Sequence, residues 1–306
     1  LSVCRMPGRA KCRATAMICA VLAATLLLLP GCSTKKNTPI SRKWQAFTTR
    51  YNVYYNGDEH YKEQLKEMET GYEDDYTRTV LTHPAEARAD EKLPQPQGDF
   101  KRTIEKMQKA IQLHSIKKRP KRKGGKQSEE YKKWLKREEY NPFIHNAWMM
   151  MGRSQYLNGD FLGAASTFFY ISKHFSWLPA TVVEAKLWEA RSYCALDWLF
   201  EAENILTRVK SEQLTSKPIR SLYYSTYADL LIKQKNYEEA VPMLTKAIPL
   251  ATRPQRTRLN FLLGQVYSAL GQKELAYKAF DKAGSSSSAS YRTKFNARIK
   301  QSEVFS

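Results

Sequence analysis

The run Leu263-Gly264-Gln265-Val266-Tyr267-Ser268-Ala269-Leu270-Gly271-Gln272-Lys273-Glu274-Leu275-Ala276-Tyr277-Lys278-Ala279-Phe280-Asp281-Lys282-Ala283 decides the fold. Leu263, Gly264 and Tyr267 share one helical face, and Ala276, Phe280 and Ala283 share another. Leu270-Gly271-Gln272 interrupts the period between them, as a turn does. The same figure recurs upstream. Gly152, Ala190, Ala228 and Gly264 each precede an alanine by twelve residues, namely Ala164, Ala202, Ala240 and Ala276. Four residues beyond each alanine stands Phe168, Leu206, Leu244 or Phe280. The alanines are 38, 38 and 36 residues apart, a period that marks stacked helical units. Where the two helices of a hairpin cross closely, only Gly or Ala leaves room. Leucine at Ala202 or Ala240 would overpack the crossing by roughly 1–3 kcal/mol. The large residue one turn on fills the space towards the next hairpin.

This spacing resembles the tetratricopeptide repeat. The expected fold is all-α: a solenoid of helical hairpins in a right-handed superhelix, preceded by an irregular helical region. Four repeats span 141–284, and Tyr291 to Ser306 reads as the opening helix of a fifth, cut short. Asn158-Gly159-Asp160 and Gln234-Lys235-Asn236 supply further turns. Asn141-Pro142 and Ser216 before Pro218 mark helix starts. In arrays of this kind the first helices line a concave groove. The resemblance puts Asn146, Arg153, Tyr156, Glu184, Leu187, Arg191, Asp229, Lys233, Arg258, Phe261 and Gln265 there. Arg153 and Arg191 hold the same phase in neighbouring units, which suits a clamp on a partner's carboxylate. The alternative is a solvated groove with Arg191 paired to a neighbour such as Asp229.

The N-terminus reads as an address. Arg5, Arg9, Lys11 and Arg13 precede an uncharged, mostly apolar run from Met17 to Leu29. That run is short for a membrane span and suits the core of a signal peptide. Leu29-Pro30-Gly31-Cys32 resembles a bacterial lipobox. By that reading 1–31 is a signal peptide, Cys32 is lipidated and 32–38 is a tether. The other reading is a short transmembrane anchor or a buried helix. After Cys32 come Ser33-Thr34-Lys35-Lys36-Asn37, lysines where a surface-export tag would be acidic. The expected location is therefore the outer membrane, facing the periplasm. Cleavage would leave Cys194 as the one thiol besides Cys32, a packed structural cysteine.

The chain carries a formal charge of +20, which calls for an acidic partner or surface. Residues 39–140 read as helical without the repeat spacing. Trp44 to Tyr55 and Glu59 to Tyr72 suggest a degenerate hairpin turning at Asn56-Gly57. The prolines at 84, 94 and 96 mark a loop. Phe100, Ile104, Met107 and Ile111 share one helical face. The stretch 117–126 holds Lys117, Lys118, Arg119, Lys121, Arg122, Lys123 and Lys126, and Pro120 with two glycines makes it a loop. It is either a solvated linker, a contact for an acidic protein or anionic lipid phosphates, or a nucleic-acid contact. The last is disfavoured, because an exported chain meets little nucleic acid and no recognition motif accompanies the tract.

Motifs for chemistry are missing. There is no phosphate-binding loop, no H-E-x-x-H and no G-x-S-x-G. The histidines are scattered. Glu129-Glu130 and Glu138-Glu139 read as ion-paired on an exposed helix. No catalytic residue, metal site or cofactor is assigned.

Beyond the repeats, Cys32-Ser33-Thr34-Lys35-Lys36-Asn37-Thr38 and Tyr51-Asn52-Val53-Tyr54-Tyr55-Asn56-Gly57 resemble the start of the PorW/SprE lipoproteins of Bacteroidota. So do His114-Ser115-Ile116-Lys117-Lys118, Tyr140-Asn141-Pro142-Phe143, Asn146-Ala147-Trp148 and Gly159-Asp160-Phe161. The resemblance runs from Cys32 to about Ala283, and family members are longer. It implies a lipid-anchored scaffold for gliding motility and type IX secretion, with envelope or secretion proteins as partners. The alternative is a SusD-like glycan-binding lipoprotein. That class interrupts its repeats with long insertions, whereas these four follow one another directly.

Overall fold

An N-terminal region and a stack of hairpins build the molecule in the computed structural model, which describes residues 36–122 and 124–305. The stretch 1–31 expected as a leader, Cys32 and 33–35 of the expected tether, Lys123 and Ser306 lie outside the described residues. Secondary structure among the described residues is helical throughout.

The described chain opens with α1 (Pro39–Thr48), a π-helical turn at Thr49–Tyr54 and α2 (Tyr55–Gly71). These run on as one rod, so the hairpin expected at Asn56-Gly57 does not form. Gly57 serves close approach instead: a Cβ there would lie 2.4 Å from Met107 Cε. After the rod comes an irregular segment, 72–100, containing a 3-10 turn at Pro84–Ala89. Then follow α3 (Lys101–His114) and the short α4 (Glu129–Leu135). The basic stretch between them is a loop. Glu138 and Glu139 stand beyond α4, not on an exposed helix. Glu138 meets His174. Glu139 is buried, and its Oε1 accepts the backbone N–H groups of Ile116, Tyr140 and Asn141. A carboxylate that satisfies three buried donors explains its burial.

The array has four hairpins: α5 (Ile144–Leu157) with α6 (Phe161–His174), α7 (Pro179–Ala195) with α8 (Leu199–Leu206), α9 (Lys217–Lys233) with α10 (Tyr237–Ala247), and α11 (Arg253–Ala269) with α12 (Lys273–Gly284). A further helix, α13 (Tyr291–Glu303), packs on α12. Ser216 caps α9 by accepting from Ile219 N–H, as Asp160 and Asn236 cap α6 and α10, each satisfying an end donor.

Every hairpin turns the same way. The first helix ends in a residue of positive φ: Gly159, Asp197, Lys235 and Gly271, at 88°, 60°, 61° and 70°. The N–H of the next residue reaches back to the helix, as in Asp160 to Gln155, Trp198 to Tyr193, Asn236 to Leu231 and Gln272 to Tyr267. This is the Schellman closure. Its spacing repeats the alanine period. The turn at Asp197 carries no glycine.

Size matching sets the helix crossings. A Cβ at Gly152 would stand 2.8 Å from Phe168, and one at Gly264 would stand 2.6 Å from Phe280. Hairpins one and four therefore pair Gly with Phe. Hairpins two and three pair Ala190 with Leu206 and Ala228 with Leu244, all fully buried. Phe168 also stacks on Trp188 of the next hairpin, 6.0 Å between centroids.

Candidate binding face: the inner surface of the array

The face expected as an open groove is filled by the chain itself. From Tyr72 to Gly98 the irregular segment crosses the first helices from the last hairpins back to the first. Tyr76 Oη meets Thr293 Oγ1 at 2.6 Å, and its ring lies 4.8 Å from Phe261. Arg258 Nε donates to both oxygens of Asp74, at 3.2 and 3.0 Å. Gln265 acts as a backbone clip. Its Oε1 accepts Val80 N–H at 2.9 Å and its Nε2 donates to Arg78 C=O at 2.8 Å. A carboxamide offers one acceptor and two donors, so one side chain satisfies two groups of an irregular backbone. Gln255 Nε2 donates to Thr82 C=O.

Further along, Glu86 sits among hairpins one to three. Its Oε1 accepts from Thr82 Oγ1 at 2.7 Å, Tyr156 Oη at 3.4 Å and Arg191 Nη2 at 3.4 Å. Arg191 Nε also donates to Tyr156 Oη. Buried Asp229 completes the cluster, with the half-buried Lys233 3.8 Å from it. Burial, with the nearby Glu86 charge, pushes the Asp229 carboxyl up to about 7. Burial likewise raises Asp74 against the pull of Arg258, and drives His83 well below the ordinary histidine range. Arg88 closes the segment by donating to Pro96 and Gly98 carbonyls.

Several expected groove positions are therefore corrected. Tyr156, Arg191, Asp229, Arg258 and Phe261 are buried beneath this segment or the α2 rod, and are not open to a partner. Leu187 packs inside the second hairpin's core with Ala190 and Cys194. Asn146 bonds back to Phe143 at its own helix start. Arg153 leans over Tyr61 of α2, 5.8 Å from the ring, and lies 3.9 Å from Glu184. The arginine clamp therefore resolves differently: Arg191 holds Glu86 of the same chain, and Arg153 holds α2. The Arg191–Asp229 pairing expected as the alternative gives way to Arg191–Glu86. Sequence reading missed Asp74, Tyr76, Thr82, Glu86 and Gln255. Their partners stand far off in sequence, and the segment has no period to betray a buried face. Between the rod, the segment and the array remains a cavity of about 510 Å³, bordered by Tyr61, Glu69, His83, Trp188, Arg191 and Gln255. Among the described residues no His, Cys, Asp and Glu cluster could hold a metal. Cys194 is buried, and burial raises its thiol well above the ordinary value.

These features define a helical-hairpin solenoid that holds an irregular segment by its first helices. The tetratricopeptide repeat family matches residues 222–251 and 257–286, hairpins three and four, and the protein is a tetratricopeptide-repeat-containing one. Hairpins one and two share the same turn and spacing. No curated protein matches the chain.

Proposed function

We propose that this protein is a non-enzymatic interaction scaffold, tethered by lipid on Cys32 to the outer membrane and facing the periplasm, where it links components of a secretion or gliding machinery. One observation carries the scaffold reading. The inner face holds an irregular segment through side chains that read backbone amides and carboxylates, which is what a protein-holding surface does. Tetratricopeptide arrays generally mediate protein–protein contact. The lipid anchor and the envelope setting are supported by the Leu29-Pro30-Gly31-Cys32 sequence and by the resemblance to PorW/SprE lipoproteins.

Partners meet an array whose inner face is already occupied, so the outer surface and the array's ends are the parts left free. Crosslinking in native membranes followed by affinity purification tests the reading. Recovery of envelope-ring or secretion proteins is expected, together with loss of the protein from the membrane fraction on Cys32→Ser. A transporter barrel with glycan retention would overturn it.

A further inference from the structure

The rod that opens the described chain carries a stripe that no other described residue covers. Ile40, Trp44, Phe47, Tyr51 and Tyr55 follow one another at helical spacing and are 52–81% exposed. Trp44 stacks on Phe47 at 6.3 Å, and Phe47 lies 4.8 Å from Tyr51. The opposite side of the same rod, at Gln45, Thr49 and Gly57, is already buried. The stripe is thus a second apolar face beyond what the fold needs. Contiguous apolar surface of this kind marks an interaction site.

Two observations say what meets it. The first is the chain ahead of it. Cys32 precedes Pro39 by seven residues, and the apolar run Met17–Leu29 precedes Cys32. Seven residues reach about 25 Å at most, so a membrane holding that run, or a lipid on Cys32, lies within reach of α1. The second is charge. Asn37 Nδ2 donates to Lys118 C=O at 2.6 Å, which ties the basic loop to the end of the rod where the tether enters. Lys117, Lys118, Arg119, Lys121 and Arg122 are exposed there, as are Lys36, Lys43 and Arg50 along the rod. Aromatic rings flanked by lysine and arginine suit the interfacial layer of a bilayer, with rings among the headgroups and cations on anionic phosphates.

We propose that the Ile40–Tyr55 stripe and the basic loop form one membrane-facing surface, which lays the rod along an anionic phospholipid leaflet. The rod's far half crosses the array's inner face, where Tyr61 lies under Arg153 and Thr252 donates to Glu69. Docking the near half therefore also sets the array's tilt. This rests on the reading that the chain is tethered to a membrane ahead of Pro39.

Tryptophan quenching tests it. The full-length protein is purified from membranes and reconstituted into vesicles of phosphatidylethanolamine and phosphatidylglycerol with brominated acyl chains. Wild type is expected to lose more emission than Trp44→Phe. That excess should shrink by about two-fold or more when Lys118, Arg119, Lys121 and Arg122 are changed to Gln, or when phosphatidylcholine replaces phosphatidylglycerol. Equal quenching in wild type and Trp44→Phe overturns the surface, and a photo-crosslinker at Tyr51 that captures a protein or a second copy then names the true occupant. Mass analysis of Cys32 separates this from the anchor. Lipid on Cys32 with Trp44 unquenched sinks the surface and spares the anchor. Quenched Trp44 with bare Cys32 does the reverse.

Discussion

The hairpin array and the segment lying across it are held by opposite means. Array crossings are apolar and sized in pairs: Gly152 with Phe168, Ala190 with Leu206, Ala228 with Leu244, Gly264 with Phe280. The inner segment is held chiefly by polar groups: Asp74 on Arg258, Glu86 on Arg191, and the Arg78 and Val80 backbone on Gln265. Apolar packing gains from area and shape, whatever the sequence distance. Polar contacts under a buried segment have to be matched group by group, because an unmatched buried group costs about 1–3 kcal/mol. The array is thus tolerant and periodic, and the segment is specific and aperiodic.

The largest expected loss is in the array. Phe280→Ala empties a fully buried site and should cost about 3–5 kcal/mol in denaturant unfolding. Next comes the segment. Arg191→Met leaves Glu86 buried without its cation and should cost about 3 kcal/mol. Adding Glu86→Gln should recover most of that loss, because the two residues act as a pair. Failure to recover would mean that Arg191 stabilises the array alone, and the contrast between the regions would blur. Gly264→Ala pushes a methyl onto Phe280 and should cost roughly 2 kcal/mol. Gly264→Ala with Phe280→Leu recreates the Ala–Leu pairing of hairpins two and three and should be milder than Gly264→Ala alone.

The two regions also differ in how far they could be read from sequence. The period at Ala164, Ala202, Ala240 and Ala276 revealed four hairpins because each unit repeats one packing problem. The turn at Asp197 escaped notice because Leu196-Asp197-Trp198 holds neither the glycine nor the asparagine that marks the other three turns. Asn56-Gly57 misled for the converse reason: a glycine that makes room for Met107 looks like one that makes a turn. Tyr156, Arg191 and Arg258 were correctly placed on first helices, but their partners Glu86 and Asp74 lie 70, 105 and 184 residues away in the chain. Nothing local in the sequence connects them.

A pH effect follows from Asp229, the carboxylate that α9 buries beneath the segment. Burial raises the folded-state value of Asp229 to about 7, above the unfolded value near 4. The folded state therefore binds more protons, and stability falls as pH rises from about 4 to about 7. His83, held below its ordinary range, acts in the opposite direction, so the comparison is with a variant. Asp229→Asn should flatten the decline of the unfolding midpoint across that window, and an unchanged pH profile would count against the buried cluster.

The smallest expected change is in the turns. Asp197→Gly and Lys235→Gly place glycine at φ near 60°, and each should stabilise by about 0.5–1 kcal/mol in thermal unfolding. No gain at either position would mean that the repeat turn tolerates side chains without strain.

Residues 72–98 occupy the array's inner face. Amide hydrogen exchange at Val80 tests this placement most directly, because that N–H is bound by Gln265 Oε1. Protection comparable to the array helices is expected in the wild type, with fast exchange after Gln265→Ala. A Val80 amide that exchanges freely in the wild type would contradict the account.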